Sequence, residues 1–147
     1  MSVPAILSVI TLGARDLPRL SDFYTAIGWK AAIELEDFCA FETRGAVLSL
    51  FPVERLAAEA KVDPAPAEQR LDVSLAINVE RRDQVDEIIE AVREAGGRIT
   101  NEPSKPPEFE GRHAHFADPE DNYWEVVWLG SEQSKMSELV RRARRES

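Results

Sequence analysis

An apolar pattern that occurs twice at a fixed offset constrains this chain more than any other feature. Leu20, Phe23, Tyr24 and Ile27 follow the i, i+3, i+4, i+7 spacing of an amphipathic helix, and Val85, Ile88, Ile89 and Val92 repeat it. Val85 stands 65 positions after Leu20, and Val92 stands 65 after Ile27. The same order, one strand before the helix and three after it, is predicted around each. Ile6 to Ala14 reads as the first strand, apolar on both faces and therefore expected at the centre of a sheet. Asp16 is placed as the helix N-cap, with Pro18 tolerated in the first turn, and Gly28 stops the helix. Lys30 to Glu36, Phe38 to Thr43 and Ala46 to Phe51 follow as short strands, turning at Asp37 and at Arg44-Gly45. The alanine-rich residues around Leu56 predict a helical turn or two.

Residues 61–70, KVDPAPAEQR, form a prolyl, charged connector without periodicity. The order then begins again with a strand over Val73 to Val79, the second helix and its Gly96-Gly97 stop. A strand from Arg98 to Asn101 and a polar loop lead to two closing strands. A βαβββ unit leaves one sheet face bare, so two such units must combine to bury a core. The expected product is one α+β domain: module one over 5–60, module two over 71–130, and an extra C-terminal helix over 131–145. Met136, Leu139, Val140 and Ala143 would form the apolar stripe of that helix.

The closing strands, in GRHAHFADPEDNYWEVVW (111–128), hold the chemistry. Pro119 sets the first corner of a turn and Asn122 is expected to close it in a left-handed conformation. Beyond the turn, Trp124, Val126 and Trp128 fall on one face of a strand, with Tyr123, Glu125 and Val127 on the other. Glu125 is thus a lone carboxylate on a face that otherwise suits a cavity. It is read either as a general base or amine acceptor, or as a structural glutamate paired with an arginine such as Arg112. Trp29, Phe38, Phe41, Phe51, Tyr123 and Trp128 supply aromatic surface, divided between core and cavity.

The chain carries a net charge of -9, but residues 131–147 sum to +2, which leaves the rest at -11. Such an acidic body repels nucleic acid and anionic membranes and favours a cationic or amine-bearing small molecule, or serves solubility alone. Cys39 is the sole cysteine, so no internal disulfide forms, which suits a reducing cytoplasm. The apolar opening from Val3 to Leu12 is too short to span a bilayer and lacks a cationic leader, so it is expected to be a strand. No phosphate loop or G-x-S-x-G elbow occurs.

Paired βαβββ modules ending in an Asp-Pro-x-x-Asn turn and a Trp-Glu-Val strand resemble the vicinal oxygen chelate superfamily over roughly residues 5–129. This is the group of glyoxalase I, bleomycin-resistance proteins and extradiol dioxygenases. The resemblance implies a curved mixed sheet around a cavity, helices outside it, and a homodimer. One departure is Asp121, where the family usually has glycine; aspartate can enter left-handed space at some cost, so the turn is expected to be adjusted but not abolished. The resemblance also implies metal-ligand positions at Val9, Ser49, Ser74 and Glu125, of which only Glu125 is a good ligand. No metal cofactor is therefore expected, and Val9, Ser49, Ser74, His113 and Tyr123 become ligand-binding candidates.

His113 and His115 share one face of their strand. If Asp118 pairs with Asn122, His115 sits opposite Glu125 and a displaced two-histidine, one-carboxylate metal site is conceivable; a one-residue slip removes it. The ordinary alternative is polar lining. Two functions follow: a metal-free protein that binds or sequesters a small molecule, or a lyase, isomerase or dioxygenase-like enzyme. In the enzyme, Glu125 acts as base with His115 as proton shuttle, or ligates the displaced metal.

Overall fold

The computed structural model describes residues 2–68 and 72–145, with side chains described as far as 143. The chain divides into two compact units that part between Ala65 and Pro66, inside the predicted connector, part of which (69–70) lies outside the described residues.

The first unit runs β1 (Val9–Ala14), α1 (Leu17–Ala26), β2 (Ala31–Leu35), β3 (Phe38–Phe41), β4 (Val47–Pro52) and α2 (Val53–Ala60). The second runs β5 (Ser74–Val79), α3 (Arg82–Glu94), β6 (Arg98–Ser104), β7 (Arg112–Ala117), β8 (Tyr123–Trp128) and α4 (Lys135–Arg145). Each unit holds a four-stranded mixed sheet, ordered β1-β4-β3-β2 and β5-β8-β7-β6. The duplication is therefore topological as well as periodic: in each unit the first strand pairs parallel with the last. The curved sheet expected from the sequence is two sheets of four, with no closed barrel among the described residues. No helix among those residues is long and apolar enough to cross a membrane.

In the first unit, Leu20, Phe23 and Tyr24 of α1 are buried, as are Phe41, Leu48 and Leu50 of the sheet. The α1 start is as expected: the Asp16 carboxylate accepts from the Arg19 amide at 3.1 Å, with Pro18 in the first turn. Replacing Asp16 with Ala is expected to cost about 1 kcal/mol, because a helix-end N–H loses its acceptor. Urea denaturation checks this, and an unchanged midpoint would show the cap to be idle. The first strand departs from expectation. It begins only at Val9, leaves Ile6 and Leu7 exposed, and lies at the edge of its sheet rather than the centre. Apolar residues on both faces gave the wrong inference because β1 pairs with β4 alone in that sheet.

In the second unit, Val85, Ile89 and Val92 of α3 are buried together with Ala114 and Phe116 of β7 and Trp124 and Val126 of β8. Arg112 anchors this packing from the helix side by forking onto Asp86, with both contacts at 2.7 Å. The C-terminal helix starts later than predicted. Its Ser137, Val140 and Arg141 line a cavity of about 210 Å³ with Asn78, Val79 and Trp128, whereas Met136 and Leu139 are exposed. The stripe is thus rotated, since periodicity alone does not say which side of a helix meets its own unit.

Candidate functional site

The site is built by the β7–β8 hairpin. Asp118 N donates to Asn122 O and Asp121 N to Asp118 O, which locks the connecting turn. The left-handed residue is Asp121, with φ of 61°, not Asn122 as the sequence suggested. Asn122 instead donates its backbone and side-chain nitrogens to the Asp118 carboxylate. The exposed Asp121 side chain forms an ion pair with Arg98 at 2.8 Å.

This turn sets the register. His115 lies opposite Glu125, and His113 opposite Val127. Alternation then places His113, His115, Tyr123 and Glu125 on the sheet face turned away from α3, while Ala114, Phe116, Trp124 and Val126 face the helix. Ser74 pairs with Tyr123 and Ala76 with Glu125, so Ser74 joins the same face one pair further on, where it is exposed.

Three of these side chains converge. His113 Nδ1 is 3.1 Å and His115 Nε2 is 3.4 Å from the same Glu125 oxygen, Oε2. One donor atom from each of the three lies within 4.8 Å of the others. On the far side of His115, the Asn101 amide nitrogen is 3.1 Å from Nδ1. An amide N–H donates, so the neutral His115 ring accepts at Nδ1 and carries its proton on Nε2, facing Glu125. Burial pushes the His115 pKa down; the Glu125 carboxylate works against that shift and His113 adds to it. The ring is thereby held towards its neutral form. Glu125 does not pair with Arg112, whose guanidinium is committed to Asp86; its partners are the two histidines.

Two of the other candidates belong to the first unit. Val9 is half-exposed on β1, and Ser49 is buried on β4, where its hydroxyl is 2.7 Å from that of Thr11. Tyr123 interacts with Arg98. The positions that the resemblance equates with metal ligands do not fit a metal: Val9 has no donor atom, and Ser49 and Ser74 offer only neutral hydroxyls. Sequence reasoning missed Asn101. Asn101 was invisible because β6 pairs with β7 through two register irregularities across a long loop.

A family model described as the Glyoxalase/Bleomycin resistance protein/Dioxygenase superfamily matches residues 6–126. The chain belongs to this superfamily. Among solved structures it is similar to a glyoxalase-related enzyme from Fulvimarina pelagi, with 27% identity and a TM-score of 0.77 over 89% of this chain and 96% of that one. A glyoxalase/bleomycin resistance protein/dioxygenase from Nocardioides shares 24% identity with a TM-score of 0.75, covering 92% and 89% of the two chains. A lactoylglutathione lyase from Agrobacterium tumefaciens, at 18% identity and a TM-score of 0.66 over 86% and 96%, shares the fold. No functionally curated sequence matches the chain.

Proposed function

We propose that this protein binds a small molecule on the face of the β5–β8 sheet turned away from α3, with Glu125 as the group that receives it. The observation carrying this reading is the half-buried Glu125 carboxylate, held between two imidazoles on the face opposite α3. A carboxylate so positioned accepts a hydrogen bond or ion pair from an amine, and the acidic body of the chain favours such a cationic ligand. The superfamily's bleomycin-resistance branch is consistent with binding alone.

A second reading, turnover by a lyase or isomerase, is favoured by one further observation. His115 directs its Nε2–H at Glu125 Oε2, an arrangement that would orient the carboxylate to take a proton from carbon next to a carbonyl. A thermal-shift screen of small amines and α-hydroxycarbonyl compounds tests both. Wild-type protein is expected to be stabilised by at least one compound, and Glu125→Gln to lose at least tenfold in affinity for an amine. If affinity persists in Glu125→Gln while turnover falls, the carboxylate serves proton transfer. If both persist, Glu125 has no part in the site.

A further inference from the structure

We propose that His113, His115 and Glu125 together bind one divalent first-row transition-metal ion, in a site carried by β7 and β8 alone. The inference rests on the reading that this face is the functional one, and it names a cofactor for it. Two imidazoles and one carboxylate are the donor set that such ions take on one face of their coordination sphere, leaving the remaining positions open.

The spacing fits. Metal–nitrogen and metal–oxygen bonds of about 2.0–2.2 Å place neighbouring donors about 3.0–3.5 Å apart at octahedral or tetrahedral angles. The two histidine–glutamate separations, 3.1 and 3.4 Å, already lie in that range, and all three donor atoms fall within 4.8 Å. The remaining separation, between the two histidines, lies within 4.8 Å and is the one that must close for both rings to reach a single ion. The hairpin supplies the rigidity: His115 is paired with Glu125 across the ladder and His113 stands two residues before it on the same face.

Asn101 is a second, independent sign. Metal-bound histidines normally direct their other ring nitrogen to a hydrogen-bond partner, which fixes tautomer and orientation. Asn101 already occupies that place against His115 Nδ1. On metal binding the His115 proton moves from Nε2 to Nδ1, and the Asn101 amide turns so that its oxygen accepts it. His113 likewise shifts its proton from Nδ1 to Nε2. No redox change is needed. Both histidine contacts fall on Oε2, so Oε1 takes neither of them.

The test is calorimetric titration of chelator-stripped full-length protein with Zn²⁺ and Co²⁺ in a non-coordinating buffer, with the visible spectrum of the Co²⁺ form recorded. One ion per chain is expected, with ring-nitrogen ligation seen in the histidine NMR signals of the wild-type Zn²⁺ form. Affinity should fall at least 100-fold in His113→Ala and in His115→Ala. Asn101→Ala is expected to weaken binding roughly 10–100-fold through orientation. The exposed carboxylate variant Glu102→Gln should bind as wild type does. Absence of stoichiometric uptake, or uptake without histidine ligation in the wild-type NMR spectrum, overturns the proposal even where a variant fails to fold. Equal uptake by the folded histidine variants overturns it as well. The titration uses no organic ligand, so its failure leaves the amine-binding reading standing; that reading is decided separately by the Glu125→Gln screen on stripped protein.

Discussion

Phe116→Ala is expected to lower the unfolding free energy by about 3–5 kcal/mol, the usual cost of emptying a fully buried aromatic site. Phe116 is completely buried, and its ring lies parallel to that of Trp124 with centroids 6.1 Å apart. Both rings come from the sheet face on which α3 packs, where Val85, Ile89 and Val92 are also fully buried. Truncation removes the transfer free energy of the ring and leaves a void that a paired β-ladder is poorly able to close. Phe116→Leu keeps most of the volume and is expected to cost about 1 kcal/mol. Chemical denaturation followed by far-ultraviolet circular dichroism measures both; similar midpoints for Ala and wild type would mean that this pair does not carry the core. The imidazole of His115, the preceding residue, points to the other face. Metal and ligand affinity at low temperature should therefore survive the substitution even as stability falls.

That separation of faces was legible in the sequence, because a strand's period of two is a covalent fact about alternate side chains. Glu125 and the two histidines could be assigned to single faces without coordinates. Whether the two faces coincided needed the register, and that hung on whether Asp118 or a neighbour paired with Asn122. The turn composition pointed to the correct pairing but to the wrong left-handed residue: Asp121 takes the positive φ, leaving Asn122 free to bond Asp118. The helical duplication was equally legible, since Leu20 and Val85 begin the same spacing and both end up fully buried. What failed were inferences that depended on distant partners. β1 looked central but has one neighbour in its sheet, and Met136 and Leu139 looked buried but are exposed. Asn101 belongs to the same class: only the irregular β6–β7 pairing brings it to His115.

Asp118→Ala is expected to cost about 3 kcal/mol and to weaken metal binding with it. The Asp118 carboxylate is buried inside its own turn, where Oδ1 accepts from the Glu120 and Asn122 amides at 2.9 Å each and Oδ2 from Asn122 Nδ2 at 2.9 Å. Hydrogen bonds to a charged acceptor contribute roughly 1.5–3 kcal/mol apiece. The sum is not lost in full, because a turn at a hairpin tip can hydrate some of the freed donors. Asp118→Asn retains one acceptor oxygen and is expected to cost about half as much. The consequence for the site follows from geometry, since these bonds hold the pairing that sets His115 opposite Glu125. Guanidinium denaturation and Zn²⁺ titration of the same two variants test the link. A stability loss with metal affinity unchanged would mean that α3 packing holds the register without the turn. Parallel losses, graded from Asn to Ala, would show that the turn holds the imidazoles to the carboxylate.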